Sequence, residues 1–347
     1  MAPSVTVNAD ELGEFTKALL VRAKMPDDMA AAAADILVEG DLLGHSTHGV
    51  GLLPQYLSAI ENGTIALEGE PEVISERGAV QAWDGRLLPG AWVTLRAIAK
   101  ASEMAREYGT GTIAIARSHH IGCLAAYLER VAAEGLILEL LTSAPSASSV
   151  VPHGGKDGAL SPSPIAFGYP TETDPVMIDI STSLTSNNHV MRVKGEGGKL
   201  DYPWMLDADG VPTDDPELGK TLLPLGGVEA GHKGFGLGLM VEALTAGLGG
   251  MGRMDDPVTM CGNVFVQVTD PEAFAGLGVF KRQAQQVSDI CTSVRPVKPD
   301  HPVRLPGRGG LERKARQRSS GVVLSGSIWT DLTREAETLG VALPKAR

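Results

Sequence analysis

The chain has few cysteines and few aromatic residues, and both shortages limit the class of protein to which it can belong. Its 347 residues include three cysteines, Cys123, Cys261 and Cys291, which lie far apart and form no CxxC pair. Isolated cysteines indicate a reducing compartment rather than a disulfide-stabilised secreted domain. Aromatic residues make up only 4% of the chain, although 43% of it is hydrophobic. The core must therefore be built from Ala, Val, Leu and Ile.

Long apolar runs and an excess of positive charge are also missing. No uninterrupted apolar stretch approaches the ~18 residues of a membrane span, and the N-terminus has no basic segment followed by an apolar one. We therefore expect a cytoplasmic protein with no membrane partner. The net charge of −12 argues against a nucleic-acid partner, since such proteins need Lys and Arg to neutralise phosphates. The basic tract 281–347 is an exception that suits a phosphorylated cofactor or an acidic partner surface.

A standard dinucleotide fingerprint is absent. Gly109, Gly111 and Ala114 approximate GxGxxG, but a helix is predicted before them and a strand after them, which is the reverse of the Rossmann order. These glycines are better explained as the end of a helix. The sequence also lacks a GxxxxGK[ST] phosphate-binding loop.

Hydrophobic spacing predicts a helical N-terminal region followed by mixed structure. The first 65 residues are expected to form helices over 8–25, 27–43 and 52–61. Beyond Pro71 the pattern predicts strands at 73–74, 80–83, 112–116, 136–142, 165–169, 176–180 and 264–268, and helices at 92–108, 123–134 and 233–248. The Gly- and Pro-rich stretch 183–224 is expected to contain turns, and 299–318 is expected to be a loop. This mixture is typical of an α+β middle domain.

Two imidazole pairs carry the clearest chemical signal. GHSTHGVGLLPQY places His45 and His48 in the loop after the second helix, and RSHHIG places His119 and His120 at the end of a strand. Histidine transfers protons near neutral pH because its pKa is about 6.5. A lone histidine is more often a capping or core residue, but two pairs at element ends favour a functional role. A histidine metal cluster is a weaker alternative, because adjacent strand residues point to opposite faces and no HExxH accompanies them.

Two further segments indicate charge-dependent binding. Asp179 lies in the apolar strand VMIDIS, where a carboxylate needs an imidazole, hydroxyl or cofactor partner unless it faces water at a sheet edge. The glycines from 226 to 238 run into a helix whose first turn carries Lys233. Free N–H groups and an ammonium there suit a pyrophosphate. Close packing of the glycine-rich helix explains the same residues equally well.

Taken in order, these segments resemble the type 2 malate/L-lactate dehydrogenase family, which includes sulfolactate and ureidoglycolate dehydrogenases and piperideine-2-carboxylate reductase. The similarity spans nearly the whole chain. GHSTHGVGLLPQY resembles the family's GHxSHGVxRLPxY, MIDISTS resembles LDMATS, and PLGG…HKGFGLGLMVE is similar to PLGGYKGYGLALMVD. The resemblance implies hydride transfer between NADH or NADPH and a C=O or C=N carbon.

The resemblance also implies an α+β fold with a non-Rossmann NAD(P)-binding domain, a largely antiparallel sheet, and a helical domain formed by the N-terminus and the C-terminal tail. The expected domains are 1–70, rejoined by 275–347, and 71–274. We further expect a small-molecule substrate, a homodimer and no metal ion.

Position by position, the resemblance assigns roles to individual residues. The implied catalytic residues are Thr47, His48, His120 and Asp179. The implied cofactor contacts are His120, Ser146, Asp179, Ile180, Ser181, Lys233, Pro306, Gly307 and Arg308. The implied substrate-side residues are Thr47, His48, Leu52, His120, Pro162 and Asn263. In this scheme His48 donates or accepts the proton, and Asp179 raises its basicity directly or through Thr47.

Four departures from the family pattern fall at or beside substrate positions. Leu52 replaces the Arg that binds the substrate carboxylate, Pro162 replaces a Thr, His189 a Lys and Asn263 a His. Loss of a bidentate Arg contact predicts retained redox chemistry with altered substrate choice. We expect a ketone or cyclic-imine reductase. The alternatives are a 2-hydroxy acid dehydrogenase, a catalytically degenerate binding protein and, from another class, a metal-dependent hydrolase or lyase using the His cluster.

Basic residues near the C-terminus bear on the choice between NADH and NADPH. Arg308, Arg313, Lys314 and Arg318 suit a 2′-phosphate, but they equally suit a solvated basic face. The sequence leaves the two nucleotides as alternatives.

Overall fold

Helices pack on both faces of one large sheet in the computed structural model, which describes residues 4–346. The helices are α1 (Ala9–Arg22), α2 (Asp27–Leu43), α3 (Leu53–Glu61), α4 (Gly90–Tyr108), α5 (Leu128–Ala133), α6 (Asn187–Gly195), α7 (Gly227–Ala230), α8 (His232–Glu242), α9 (Leu277–Ser293), α10 (Arg308–Ser320) and α11 (Gly326–Leu339). The strands are β1 (Val5–Val7), β2 (Glu72–Arg77), β3 (Val80–Asp84), β4 (Thr110–His119), β5 (Ile137–Ser143), β6 (Ile165–Tyr169), β7 (Val176–Ile180), β8 (Met205–Leu206), β9 (Pro212–Thr213), β10 (Thr221–Leu222), β11 (Cys261–Thr269) and β12 (Val322–Leu324).

The central sheet has seven strands in the order β2-β3-β4-β11-β5-β6-β7. Only the β3–β4 pairing is parallel, and the other neighbouring strands run antiparallel, as expected. A smaller sheet, β10-β8-β9, lies within the stretch 183–224 together with α6. Along each strand of such a twisted sheet, the side chains alternate between two faces, and both faces contact helices.

Alternate residues of β11 show how the two faces are covered. Val264 and Val266 belong to the main core with α4, whereas Phe265 packs with Val241 of α8 in a separate cluster. This period of two follows from the pleat of the strand. The centre of the sheet is therefore buried on both sides, and the segment with His119 and His120 lies at the end of β4.

Helix α2 determines where the His-rich loop begins. Its run of alanines favours a helix, and it ends at Gly44, whose φ of +91° is the left-handed conformation that glycine adopts most easily. A side chain at position 44 would also collide with the guanidinium of Arg313. The chain therefore turns sharply into the segment that carries His45 and His48.

The C-terminal region returns to the N-terminal helices. Strand β12 pairs with β1, α10 packs on α2, and α11 lies beside α1 and α3. The prediction of a loop over 299–318 is wrong, because α10 begins at Arg308. Contacts with α2 stabilise this glycine-rich helix, and Lys314 bridges Glu39 and Glu129 at 2.5 and 2.6 Å. Tertiary packing has overridden weak helix propensity.

The main core is continuous across the expected domain boundary near residue 70. It contains Leu37 of α2, Ala97 of α4, Val266 of β11 and Leu332 of α11. The division into 1–70 with 275–347, and 71–274, stays a prediction. Among residues 4–346, none of the helices is long and apolar enough to cross a membrane.

Candidate functional site

A cavity of about 490 Å³ opens where the His-rich loop meets the end of β4. We call it the larger cavity. The predicted site residues that line it are Thr47, His48, His120, Ser146, Pro162, Asp179 and Ser181. Segments far apart in sequence therefore converge on one space, as the two imidazole pairs had suggested.

The loop that carries His48 is held from below by a buried carboxyl group. Asp41 accepts a hydrogen bond of 2.7 Å from the backbone N–H of Val50. Gly49 is needed above it, because a Cβ there would lie 2.3 Å from the Asp41 carboxyl atoms. Burial raises the pKa of Asp41 to about 7, and the Val50 hydrogen bond opposes this shift. The sequence analysis missed Asp41, although an acid in the apolar end of α2 was a signal.

His120 is held in one neutral tautomer. Its Nδ1 accepts a hydrogen bond of 3.2 Å from the backbone N–H of Gly122 and lies 2.9 Å from the hydroxyl of Tyr56. Because a backbone N–H can only donate, the ring proton belongs on Nε2. Burial, followed by the neighbouring imidazoles of His48 and His119, lowers the pKa of His120 to about 3. The ring therefore presents a neutral Nε2–H donor to the larger cavity.

His48 stacks against His120 with 6.0 Å between the ring centroids. Its Nδ1 lies 3.0 Å from the hydroxyl oxygen of Thr47. Burial lowers the pKa of His48, while the charge of Asp179 opposes this shift and His45 adds to it. Burial therefore determines the net direction of the shift, and the expected protonation of His48 near neutral pH with the help of Asp179 stays a prediction.

Asp179 is the last residue but one of β7, and its hydrogen-bond partners lie in the segment 123–127. Its Oδ2 accepts a bond of 2.8 Å from the backbone N–H of Ala125 and lies 3.7 Å from the sulfur of Cys123. Within residues 4–346 it makes no hydrogen bond to Thr47 or His48. Asp179 therefore acts on His48 through its charge rather than through a hydrogen-bonded relay.

His119 does not join the site. Its side chain is 1% exposed, and both ring nitrogens lack partners among the described residues. Its ring stands edge-on to Tyr56 at 5.6 Å, and burial lowers its pKa to about 4. The four histidines of the two motifs consequently do not form a single cluster.

Several other predicted site residues do not line the larger cavity, among them Leu52, Asn263 and Lys233. Leu52 is 4% exposed within the main core and does not line the larger cavity, so its substrate contact stays a prediction that this position does not support. Asn263 is fully buried, where its amide donates to the carbonyl of Met251 and accepts from the N–H of Arg117. Its predicted substrate contact stays a prediction that these hydrogen bonds do not support. Lys233 is exposed and lines neither cavity.

The glycines around Lys233 serve close packing. A Cβ at Gly234 would lie 2.3 Å from the backbone nitrogen of Leu225, and one at Gly238 would lie 3.1 Å from Leu160. The alternative explanation of these glycines, a helix packed tightly against its neighbours, therefore fits the structure.

A second cavity of about 360 Å³, here called the smaller cavity, adjoins the beginning of α10. It is lined by Asp179, Ile180, Pro306 and Gly307, and by Arg313. The carbonyl of Pro306 accepts a hydrogen bond of 3.2 Å from the N–H of Met177, which holds this turn against β7. Unpaired N–H groups at a helix start attract anions, so the lining fits the phosphates of a dinucleotide.

Of the four basic residues considered for a 2′-phosphate, only Arg313 lines the smaller cavity. Arg308 instead pairs with Asp174 and Glu312. Lys314 is held between two glutamates, and Arg318 lies nearest Asp10 and Glu39. Three of these four residues, Arg308, Lys314 and Arg318, therefore make ion pairs within the fold.

Comparison with known proteins defines the class of this fold and site. Malate dehydrogenase from Pyrococcus horikoshii OT3 has a similar structure, with a TM-score of 0.89, 27% identity and 99% of each chain covered. Delta1-piperideine-2-carboxylate reductase from Pseudomonas syringae pvar. tomato gives a TM-score of 0.84 at 27% identity, covering 95% of this chain and 99% of that one. The chain thus has the fold of a group of oxidoreductases.

The family follows from sequence. The pattern of the malate/L-lactate dehydrogenase family matches residues 7–333. The (2R)-3-sulfolactate dehydrogenase (NADP(+)) of Chromohalobacter salexigens is 36% identical over 247 residues, which cover 70% of this chain and 72% of that protein. The chain belongs to the malate/L-lactate dehydrogenase family, a family of NAD(P)-dependent dehydrogenases, and is an oxidoreductase.

Proposed function

We propose that the protein is an NAD(P)H-dependent reductase of a ketone or cyclic imine, and that the larger cavity holds the substrate. One observation carries this proposal. The larger cavity combines two imidazoles, His48 and His120, with a wall that contains no Lys or Arg among the described residues. Such a site transfers protons without an ionic contact for a substrate carboxylate.

The two imidazoles have different tasks. With its pKa near 3, His120 stays neutral, so it donates its Nε2–H to the substrate heteroatom and polarises the C=O or C=N bond. The pKa of His48 is lowered from 6.5 but remains subject to the opposing charge of Asp179. His48 is therefore the group that delivers the proton during reduction and removes it during oxidation.

The residues present fit a bound NADH or NADPH. When bound, the nicotinamide supplies the hydride in reduction and accepts it in oxidation. Ile180, Pro306 and Gly307 line the smaller cavity, where the start of α10 and Arg313 favour phosphate groups. Ser146 and Ser181 line the larger cavity. This arrangement supports a non-Rossmann binding mode along β7 and α10.

The composition of the cavity wall supports an uncharged substrate group. Besides its histidines, its cysteines and Asp179, its polar residues carry hydroxyl and amide groups, among them Thr142, Ser161, Ser163, Asn187 and Asn188. These groups recognise neutral donors and acceptors. They also support the second candidate, a 2-hydroxy acid dehydrogenase, because several hydroxyls together can bind a carboxylate or sulfonate, and relatives are named malate and sulfolactate dehydrogenases.

A metal-dependent hydrolase receives less support. It requires the histidines of both motifs around one ion, whereas the ring of His119 packs against Tyr56 outside the larger cavity. The degenerate binding protein is also disfavoured, because the two imidazoles remain positioned for proton transfer.

The test uses chelator-treated protein. NADH and NADPH are titrated by fluorescence, and metal-free enzyme is then assayed with cyclic imines, ketones, pyruvate and oxaloacetate. We expect nucleotide binding, and turnover that is highest with an uncharged ketone or imine group. His48→Ala is expected to reduce turnover by at least ~100-fold, the usual contribution of a general acid, while nucleotide affinity stays within about twofold. Turnover that needs added metal, or that is unchanged in His48→Ala, contradicts the proposal.

We also propose a homodimer in a reducing compartment. Leu239, Met240 and Leu248, on and just beyond α8, are 50%, 38% and 56% exposed. Neighbouring exposed apolar residues are typical of an interface. The three cysteines are all free thiols, which fits the cytoplasm. Sedimentation velocity tests the dimer, and a monomer at micromolar concentration contradicts it.

A further inference from the structure

We propose that His45, Cys123 and Asp179 form an inhibitory binding site for Zn²⁺. A ring nitrogen of His45, the sulfur of Cys123 and a carboxylate oxygen of Asp179 all lie within 4.8 Å of one another. Protein ligands hold Zn²⁺ at about 2.0 to 2.3 Å, so tetrahedral ligands of one ion stand roughly 3.5 Å apart. Side-chain rotations that move the donor atoms by about an ångström therefore allow all three to bind one ion.

The surroundings of the three ligands allow this adjustment. Asp179 is anchored through Oδ2 by the N–H of Ala125, which leaves its other oxygen available to a metal. Cys123 is buried beside it, with 3.7 Å between Sγ and Oδ2. His45 is exposed, so it is the ligand with freedom to turn toward the other two. The second carboxylate oxygen of Asp179, the buried sulfur of Cys123 and the exposed imidazole of His45 together offer three ligands to one ion and leave its fourth position open.

The donor set determines which cation fits. A thiolate and an imidazole favour Zn²⁺, whereas Mg²⁺ and Ca²⁺ prefer oxygen ligands. As the metal–sulfur bond forms, the thiol proton of Cys123 leaves to solvent, and no electrons are transferred. This set differs from the histidine cluster that the sequence suggested. It contains only one histidine, His45, and its sulfur ligand, Cys123, belongs to neither imidazole pair.

The position of the three ligands explains why binding inhibits. His45 and Asp179 are the two residues that line both the larger and the smaller cavity, so they stand at the junction between the two. An ion bridging them closes the passage that a dinucleotide occupies. This consequence rests on the proposed function, whereas metal binding itself does not.

The first experiment measures metal binding without cofactor. Metal-free protein is titrated with Co²⁺, whose bond to a thiolate gives a near-ultraviolet charge-transfer band, and Zn²⁺ is then added in competition. We expect the band in the wild type and its displacement by Zn²⁺. Cys123→Ser is expected to lack the band, and His45→Ala to weaken Zn²⁺ binding by at least about tenfold, as losses around metal sites do.

Cys261→Ser is the matched control, because Cys261 is also a buried cysteine that lines the larger cavity. It is expected to keep the band and the Zn²⁺ affinity. A wild type without the band, or a band that disappears in Cys261→Ser but persists in Cys123→Ser, overturns the site.

The second experiment measures NAD(P)H fluorescence with and without Zn²⁺. The apparent Kd for the nucleotide is expected to rise with Zn²⁺ concentration in the wild type and to stay constant in Cys123→Ser. If the cobalt band appears but Zn²⁺ does not raise the apparent Kd for the nucleotide, the inhibitory role is wrong. If metal-free wild type binds no nucleotide at all, the proposed function fails, while the cobalt titration still decides the metal site.

Discussion

Tyr56 and His120, 64 residues apart in sequence, meet in a hydrogen bond of 2.9 Å between the phenol oxygen and Nδ1. Tyr56 ends the motif that carries His48, so a single segment supplies the proposed acid and orients the neighbouring imidazole. Its hydroxyl also lies 3.2 Å from the carbonyl oxygen of His120. The side chain of Tyr56 therefore holds both the ring and the backbone of His120, which lines the larger cavity.

Replacing Tyr56 with Phe tests this alignment. Loss of one hydrogen bond costs about 1 kcal/mol, so we expect kcat/KM for reduction to fall roughly fivefold. Tyr127→Phe is the control, since Tyr127 donates a 2.6 Å hydrogen bond to the carbonyl of Ile121 rather than to an imidazole. Steady-state kinetics and urea unfolding of both variants should show similar losses of stability but a loss of kcat/KM only in Tyr56→Phe. Equal kinetic losses would assign Tyr56 a purely structural role.

The pH dependence of turnover tests the assignment of His48. Reduction requires the protonated imidazole, and burial lowers the pKa of His48 below 6.5. We therefore expect kcat/KM for reduction to fall as pH rises through an apparent pKa below 6.5, and kcat/KM for oxidation to rise over the same range. Measurements from pH 5 to 9 on the wild type and His48→Gln provide the check. If the pH dependence of kcat/KM is unchanged in His48→Gln, a group other than His48 is the one that titrates.

Asp41→Asn tests the buried carboxyl group beneath the catalytic loop. The pKa of Asp41 rises from 3.8 to about 7 in the folded protein, so its stabilising contribution is complete below the unfolded pKa and is lost as pH rises through 7. An Asn keeps the acceptor for the Val50 N–H without titrating. We expect the unfolding free energy of the variant, relative to the wild type, to increase between pH 4 and 7 and then level off. Urea unfolding at several pH values measures this difference, and a constant difference would refute the titration.

Leu52→Arg tests whether Leu52 packs in the core or contacts the substrate. Because this side chain is 4% exposed in the main core, an unpaired guanidinium there should destabilise the protein by roughly 3 kcal/mol or more. No gain in pyruvate or oxaloacetate reduction is expected. Leu52→Met, a change of similar volume, should cost less than about 1.5 kcal/mol. A stable Leu52→Arg enzyme with improved 2-oxo acid turnover would return this residue to the substrate side.

Local patterns predicted much of the fold. Strands β6 and β7 have the predicted bounds of 165–169 and 176–180, because alternating and β-branched residues report directly on a pleated surface. The prediction failed at α10, where Pro and Gly near 299–310 indicated a loop. Those residues carry no information about α2 and Glu39, which stabilise the helix from 270 residues away.

The candidate site was predictable where its chemistry lies in consecutive residues and unpredictable where it depends on distant ones. His48 and His120 stand in motifs whose composition is visible in the chain, and the larger cavity contains both. Asp41, Tyr56 and Cys123 were not assigned to the site from the sequence, because an ordinary acid, phenol or thiol gains its role only from its neighbours.

The order of residues by itself determined the family, many of the helices and strands, and the side chains capable of moving a proton. Only the tertiary structure decided which imidazole is neutral, that Leu52 packs inside, and that His45 meets Cys123 and Asp179. The reason is physical: proton affinity and metal affinity depend on burial and on distances of a few ångströms between groups, and the folded chain alone establishes those distances.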